Sequence, residues 1–444
     1  MAQAEAIWWK PAGSRQPDAA LASSSGSSVA FAALVAFTVI LLLSPQAWLP
    51  ALKTIRIALL AAGLAMAAHV VERTIRRQPI TPLSPEIGIA VALVGWSVLT
   101  IPLSAWPGGS VLLLTDQYLK AVTFFWLLGT IVSSTNRLRT VAWTLVLCSI
   151  PLAATGIINY VSGEYVSTGV RGFYRIVGYM GASGLTGNPN DLALMLNLII
   201  PLAAMLVLIA RGAARVVAVT ALALAVAAVI LTFSRAGFLT LAASFVMMMA
   251  VLVRRKSSAA AVVLLLIAIC VPPLLPSGYA ARLSTITNIE EDQTGSAQGR
   301  WYDTKVAAEV IARNPIIGVG IGQDVLAMNE ERGRSTWRRV HNVYLQYGVD
   351  LGVPGLLLFL WLHILCLRTA RAVEKRAAAI PEHRNLAFLA AGIQVSLVAF
   401  AVAAMFHPIA YQFYFFSIAG LAVALRSIWR TEVSPVAPAR SVAS

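Results

Sequence analysis

Charged side chains are scarce in this chain: aspartate, glutamate, lysine and arginine make up 12% of its 444 residues, whereas hydrophobic residues make up 58%. Soluble globular proteins carry about 25% charged residues. A deficit of this size along the whole length excludes an ordinary soluble protein and predicts a polytopic membrane protein. The formal net charge of +15 does not indicate nucleic-acid binding, because the basic residues lie in short clusters between apolar runs, as in sequences that set membrane topology.

Cysteines and metal-binding motifs are also few or missing. Each of the three cysteines, Cys148, Cys270 and Cys366, lies inside an apolar run without the spacing of metal ligands, so we expect small buried side chains. The sequence contains no Asp-x-Asp and no His-x-x-x-His pattern, and it gives no support for a metal-dependent mechanism. The acidic run 290–292 is expected to be a solvated loop. We therefore expect no cofactor.

Long apolar runs dominate the sequence instead. A membrane-spanning helix needs about 20 apolar residues, and about twelve such runs predict an all-α polytopic integral membrane protein. The predicted spans are 29–45, 54–71, 87–105, 110–132, 139–159, 190–210, 214–233, 237–254, 258–275, 342–367, 386–406 and 409–428. The implied organisation is a tail at 1–28, spans at 29–275 with a loop at 160–189, a long, partly helical loop at 276–341, spans at 342–428 and a tail at 429–444.

The basic residues of the short loops predict the orientation in the membrane. Most of them fall on the side that holds both chain ends, including the clusters at 73–77, 254–256 and 368–376. Short loops rich in lysine and arginine stay on the cytoplasmic side. We therefore expect cytoplasmic termini and place the loop 276–341 on the outside.

The loop 276–341 is the only stretch of the sequence large enough for a small extramembrane domain. Residues 303–313 have helical periodicity, and Asn314 before a proline should end that helix. Gly318, Gly320 and Gly322 follow at alternate positions. They predict a tight turn or a close approach of the backbone to a neighbour.

Two arginines on the predicted outer side stand out by their surroundings. Arg235 lies between two apolar spans with almost no loop. A charge this close to hydrocarbon is a functional candidate, and the alternative is an arginine that snorkels from a helix end. Arg300 follows Gly299, and a glycine-flanked guanidinium can approach a diphosphate and bind its oxygens in a bidentate manner. An exposed loop arginine is an equally good interpretation of Arg300.

His341 begins the apolar segment that follows the long loop, next to Arg338 and Arg339. A neutral imidazole can take a proton from a hydroxyl, and an ordinary pKa of about 6.5 suits that role. The neighbouring arginines should lower this pKa and keep the ring neutral. The alternative is a histidine that caps the next helix. His407 is predicted on the same outer side.

Asp116 and Lys120 are spaced i,i+4 inside the predicted span 110–132. We expect them to pair with each other and to face the interior of the helix bundle. Charges inside a span can also line a transport path, which keeps a membrane transporter open as an interpretation of a different class. No second intramembrane pair and no symmetry between two halves of the sequence supports it.

His341-Asn342, followed after nine residues by Gly352-Val353-Pro354-Gly355, resembles the signature of bacterial O-antigen ligases. Arg338-Arg339 is similar to that family's basic pair, the run 232–237 to its conserved-arginine turn, and Gly299-Arg300-Trp301 to its second arginine. About twelve spans with a long loop between the ninth and tenth also resemble the family. The same superfamily contains O-antigen polymerases and protein O-oligosaccharyltransferases, which share several of these elements.

The resemblance implies a glycosyltransferase of lipopolysaccharide biosynthesis in the bacterial inner membrane, with its active site on the periplasmic side. The donor would be O-antigen polysaccharide on undecaprenyl diphosphate, and the acceptor a sugar hydroxyl of lipid A–core. Arg235 and Arg300 would neutralise the diphosphate leaving group, and His341 would deprotonate or orient the acceptor, in an inverting single displacement without a metal. Further candidates for donor or acceptor contacts are Arg338, Arg339, Arg171, Arg175 and Asn342.

The resemblance leaves the acceptor open. An O-antigen polymerase differs from a ligase mainly in the acceptor, so the polymerase stays an alternative. The sequence lacks the very large C-terminal periplasmic region associated with protein O-oligosaccharyltransferases, which argues against that activity.

Overall fold

The computed structural model describes residues 26–47, 49–166, 175–176, 178, 187–255, 262, 276, 278–286, 290, 295–333 and 337–433. Over these residues the fold is helical apart from one short two-stranded sheet, which confirms the predicted all-α polytopic fold. The helices of the first half are α1 (Ser28–Leu43), α2 (Pro50–Ile55), α3 (Ile57–Ile75), α4 (Pro85–Thr100), α5 (Pro107–Leu113), α6 (Leu119–Ile131) and α7 (Thr135–Val161). Those of the second half are α8 (Pro189–Ile209), α9 (Gly212–Leu231), α10 (Arg235–Arg254), α11 (Tyr279–Ser284), α12 (Ser296–Arg313), α13 (Asp324–Glu331), α14 (Val343–Ala377), α15 (Arg384–Ala403) and α16 (Phe413–Ile428).

Short elements complete the fold. Strands β1 (Tyr165–Val166) and β2 (Arg175–Ile176) pair antiparallel in the loop that follows α7. A π-helical turn, Leu114–Tyr118, joins α5 to α6. Further single turns lie at Pro45–Ala47, Ile101–Leu103, Pro381–His383 and Trp429–Val433.

The described residues contain nine helical segments that are long and apolar enough to cross a membrane, and the shorter helices α1 and α16 are also apolar. Every predicted span except 258–275 coincides with a helix, and all of 258–275 apart from residue 262 lies outside the described residues. The number of crossings stays a prediction. Helix α14 continues ten residues beyond the end of the predicted span 342–367, to Ala377.

Helices α8 and α15 form the centre of the bundle. Of their most apolar stretches, 78% and 83% of the residues are buried, against 11% in α3 at the edge. A helix that is apolar all round belongs in such an interior. Cys148 and Cys366 are buried free thiols, as predicted, and Cys270 lies outside the described residues.

A buried polar cluster lies between α4, α14 and α16. The guanidinium of Arg426 donates to the Glu86 carboxylate at 2.7 Å, and the Thr369 hydroxyl donates to the same oxygen at 2.6 Å. All three side chains are buried. A second ion pair, between Arg255 and Glu374 at 3.1 Å, joins the end of α10 to the last turns of α14. Such pairs fix which helix ends meet, because a lone charge in this interior would be costly.

The helix α14 is kinked at Gly352, whose backbone is not helical (φ 69°, ψ −174°). Residues 315–323, which we call the glycine segment, pack against this kink. Its backbone bonds to the kinked stretch, from Val319 N–H to the Val349 carbonyl and from Val353 N–H to the Pro315 carbonyl, both at 2.8 Å. A Cβ atom at Gly352 would lie 2.3 Å from the Ile316 carbonyl oxygen. A Cβ atom at Gly318 would lie 2.5 Å from the Asp350 carbonyl oxygen, and one at Gly320 2.9 Å from Cα of Ser104, so the predicted close backbone approach is confirmed at these two glycines.

The predicted partnership of Asp116 and Lys120 is half right. The two side chains form an i,i+4 ion pair at 3.6 Å, but both are exposed on the outer surface of the bundle, at 74% and 64% of the side chain, rather than facing its interior. The π-helical turn at 114–118 buries Tyr118 and turns the charged pair outwards. An outward pair does not line an internal path, so the feature that favoured a transporter is lost.

Candidate active site

Arg235 is the first residue of α10 and follows a turn of three residues after α9. Phe233 in this turn has a left-handed backbone (φ 50°), which is uncommon for a bulky residue and marks a constrained site. The Ser234 hydroxyl caps α10 by accepting from Gly237 N–H at 3.1 Å. A Cβ at Gly237 would lie 2.7 Å from that of Ala193, so glycine lets α10 pack tightly on α8. The turn therefore fixes where the Arg235 side chain begins.

The Arg235 guanidinium reaches the short helix α11. Its Nη1 donates to the Thr285 hydroxyl at 2.8 Å. The ring of Tyr279 in α11 packs edge-on against Phe233, with 5.3 Å between the centroids. Residues from the long loop thus cover the start of α10 and hold Arg235 at the surface of the bundle.

Asn190 joins the Arg235 turn to two other parts of the site. Its side-chain oxygen accepts from the Ser234 hydroxyl and from Nη2 of Arg175, both at 2.7 Å. Its backbone carbonyl lies 3.3 Å from Nε2 of His407. Arg175 in β2 also donates to the Thr232 carbonyl at 3.2 Å. The start of α8, the hairpin and the loop after α15 therefore meet beside Arg235.

His341 lies just before α14, with its ring half-buried. Its Nδ1 is 3.0 Å from the Arg339 carbonyl oxygen. A carbonyl can only accept, so Nδ1 carries the hydrogen, and in a neutral ring Nε2 then holds the lone pair. Asn342, not His341, caps the helix, because its side chain accepts from Tyr344 N–H and Leu345 N–H. The alternative of a capping histidine is thereby wrong.

The surroundings of His341 lower the pKa of its imidazole. Burial contributes most, since it disfavours the charged ring, and the guanidinium of Arg300 comes next, with Arg338 adding a smaller effect. Asp303 and the Arg339 carbonyl act in the opposite direction. The predicted lowering of this pKa is confirmed, but the arginine that matters most is Arg300 rather than the neighbouring pair. The ring is therefore neutral near pH 7.

His407 is the second imidazole of the site and differs from His341. It is almost completely buried, and its Nδ1 donates to the Ala403 carbonyl at 2.8 Å. Burial, together with a smaller effect of the charges of Arg300 and His341, lowers the pKa of His407 to about 4. Its Nε2 faces the Asn190 carbonyl. Of the two rings, His341 is the one that can accept a proton from a substrate.

Arg300 lies in the first half of the helix α12, which begins at Ser296, so the interpretation of Arg300 as an exposed loop arginine is wrong. The predicted helix 303–313 therefore starts earlier, although it ends at Arg313 before Asn314 as expected. Gly299 lies against Arg338, since a Cβ there would be 3.4 Å from its guanidinium. Helix α12 thus brings Arg300 and Arg338 together at His341.

The two arginines that precede His341 have different surroundings. Arg338 is exposed beside α12, whereas Arg339 acts electrostatically on the buried carboxylates of Asp324 and Asp350. The predicted compact group of two arginines and a histidine is therefore Arg338 and Arg300 with His341. Arg171 lies outside the described residues.

Several residues of the site escaped the sequence interpretation. Asp303 and Arg332 form a buried ion pair at 2.5 Å, and Arg332 also donates to the Arg338 carbonyl at 3.1 Å. Asp324 accepts from Val340 N–H. Asp350 could have been identified from the sequence, because a carboxylate inside an apolar span is a functional candidate. No group of three metal-binding side chains occurs in the part of the chain that the structure describes.

The fold and the site define a multi-pass, all-α membrane protein in which a neutral imidazole and several guanidinium groups meet at one end of the bundle. Residues 220–360 match the family model described as Wzy_C: O-Antigen ligase, so this part of the chain is similar to the O-antigen ligase superfamily, whose members are glycosyltransferase-like enzymes. The matched stretch includes Arg235, Arg300 and His341. None of the curated proteins matches the chain at a significant level.

Proposed function

We propose that this protein is an O-antigen ligase, which transfers O-antigen polysaccharide from undecaprenyl diphosphate to a sugar hydroxyl of lipid A–core. One observation carries the proposal. The imidazole of His341 is held through Nδ1, is kept neutral by burial and Arg300, and lies within the stretch that matches the O-antigen ligase family.

In the proposed reaction the acceptor hydroxyl oxygen bonds to the anomeric carbon of the first donor sugar. Nε2 of His341 takes the hydroxyl proton, and the bond from the anomeric carbon to the diphosphate oxygen breaks. Undecaprenyl diphosphate leaves with the electron pair of that bond. A single displacement inverts the anomeric configuration, and a positioned base contributes roughly 10²- to 10⁴-fold to such a step.

We assign Arg235 and Arg300 to the diphosphate, which gains negative charge as it leaves. Two features support the assignment of Arg235: it begins a helix of 20 residues, whose N-terminal dipole favours an anion, and its position is fixed by the turn before it. The assignment of Arg300 is supported by its charge near His341, which lowers the pKa of the imidazole. Because these charges do the work that a metal ion does elsewhere, we expect the reaction to need no metal.

We further propose that the exposed Arg338 contacts the donor or the acceptor. Arg339, Arg175 and Asn342 contribute by holding the site. Arg339 acts electrostatically on Asp324, Arg175 donates to Asn190, and Asn342 caps the start of α14. The active site faces the periplasm and both termini are cytoplasmic. A reporter fused near residue 300 should be periplasmic, and reporters near 255 and 375 cytoplasmic; a cytoplasmic signal at 300 would overturn this arrangement.

The decisive experiment uses the purified chain, an undecaprenyl-diphosphate-linked donor and lipopolysaccharide that lacks O-antigen, with and without a chelator. We expect lipid A–core capped by polysaccharide in both cases. Extension of the lipid-linked donor with uncapped core would instead make the protein an O-antigen polymerase. Loss of capping with the chelator would refute the metal-independent mechanism.

A further inference from the structure

Residues 338–342, which we call the His341 segment, are held on both sides of the imidazole. Nη1 of Arg332 donates to the Arg338 carbonyl, and Asn342 caps α14. Val343 N–H donates to the Ala404 carbonyl at 2.7 Å. The bond closest to the imidazole from another element is that of Val340 N–H to Oδ2 of Asp324, at 3.0 Å. One side chain of α13 therefore fixes the residue directly before His341.

Asp324 is itself held from the membrane-spanning part of the chain. Its backbone N–H donates to Oδ1 of Asp350 at 2.8 Å, and both side chains are fully buried. The carbonyl of Asp350 accepts from Gly320 N–H at 2.9 Å, so the glycine segment shares the same support. A chain of contacts runs from α14 through Asp350 and Asp324 to Val340.

The hydrogen bond between Val340 N–H and Asp324 uses a buried carboxylate as its acceptor. A buried carboxylate is costly to desolvate, whereas an apolar side chain at this position would leave the buried Val340 N–H without an acceptor. Burial raises the pKa of Asp324, whereas the guanidinium of Arg339 and the N–H donors oppose that rise. The Asp324 carboxylate fixes the position of the backbone next to His341, and the desolvation of this carboxylate opposes that gain.

We propose that Asp324 is a positioning residue for His341, acting through the Val340 N–H and held in place by Asp350. This inference rests on the proposed role of His341 as the base. A displacement of about 1 Å at a reacting group can reduce a rate on the order of 100-fold. Loss of the Asp324 acceptor should therefore act on the chemical step and leave donor affinity nearly intact.

The test compares three variants of the full chain in the ligation assay. Asp324→Ala removes the acceptor and should lower kcat roughly 10- to 100-fold with less than about a threefold change in the donor KM. Asp324→Asn keeps an oxygen for the Val340 N–H and should restore most of kcat. Glu331→Ala is the matched control, because Glu331 lies in the same helix and pairs with Arg313 instead. Parental turnover by Asp324→Ala, or equal loss in Asp324→Asn, would overturn the proposal.

A second measurement reports on His341 without any substrate. Diethyl pyrocarbonate modifies the unprotonated ring nitrogen, and mass spectrometry of the peptide that contains His341 gives its rate of modification at each pH. We expect Asp324→Ala to change this rate at least about threefold, since the ring changes its exposure and partners, and Asp324→Asn to match the parent. An unchanged His341 in a slow Asp324→Ala variant would refute the positioning role.

The two readouts separate this inference from the proposed function. If His341→Gln ligates at the parental rate, the base role is lost. A changed modification rate in Asp324→Ala would then still establish that Asp324 positions the ring. If both Asp324 variants leave the modification rate unchanged while His341→Gln is inactive, the base role stands and the positioning role falls.

Discussion

The two ends of α10 and α14 use arginine in different ways. At one end Arg255 is paired with the Glu374 carboxylate at 3.1 Å, so the positive charge has a countercharge within the protein. At the other end Arg235 donates to the Thr285 hydroxyl at the surface of the bundle, and His341 lies just before α14. The same two helices are therefore joined by an ion pair at one end and hold candidate active-site residues at the other.

The largest expected effect is at His341. His341→Gln keeps a polar side chain but cannot accept a proton as a base, so ligation should fall roughly 10²- to 10⁴-fold. Thermal unfolding in detergent should change little, because the ring is only half-buried. His383→Gln, on the predicted cytoplasmic side, is the control and should ligate normally. Parental ligation by His341→Gln would leave the arginines to carry the catalysis.

At the opposite end, Glu374→Ala should affect stability instead of chemistry. It leaves the buried Arg255 without its carboxylate, and removing one partner of a buried ion pair costs about 3–5 kcal/mol. We expect a clearly lower Tm and normal kcat for the protein that remains folded. The control Glu382→Ala removes an exposed carboxylate near the same end and should leave Tm unchanged. An unchanged Tm in Glu374→Ala would break the comparison.

Arg235→Lys tests whether the charge of Arg235 is sufficient or whether the planar shape of its guanidinium is also required. Lysine keeps the charge but loses the planar fork that binds a diphosphate, so turnover should fall at least about tenfold, and Arg235→Ala should lose roughly 10²- to 10³-fold. Ligation rates with a saturating donor provide the measurement. Arg215→Lys, exposed at the start of α9, is the matched control. Near-normal rates for both Arg235 variants would contradict the role in leaving-group stabilisation.

The smallest effect is the pH dependence near neutrality. Because burial and Arg300 lower the pKa of His341, the base is already deprotonated at pH 7, and the rate should be flat there. Below the pKa the rate should fall about tenfold per pH unit as the ring becomes protonated. Arg300→Gln should move this limb to higher pH, since a charge that disfavours imidazolium is removed. A limb above pH 7 in the parent would exclude His341 as its origin.

Much of the fold followed from the sequence because apolar length is a direct physical requirement of a span. The Arg235 turn and the three glycines were also predictable, because a charge without a loop and glycines at alternate positions have few structural explanations. The start of α12 was not predictable from the sequence. Gly295 precedes it with a left-handed backbone and no capping side chain, so the usual helix-start signal is missing.

The remaining parts of the site depend on contacts between distant residues. Asp324 and Asp350 are brought together only when α13 docks on the kink of α14, and no local pattern encodes that distance. The outward face of Asp116 depends on one π-helical turn, which shifts the register of every later residue in the span. Roles for these residues could be assigned only from the three-dimensional arrangement.

The kink at Gly352 also has a consequence for the order in which the molecule is built. Residues 315–323 bond to the backbone of Ala105, early in the chain, and of Val353, beyond the first turns of α14. The glycine segment can therefore make all of these contacts only after the chain has been synthesised at least as far as Val353. Because Val343 N–H also bonds to the Ala404 carbonyl, the backbone around His341 gains its full set of contacts only after α15 has been synthesised.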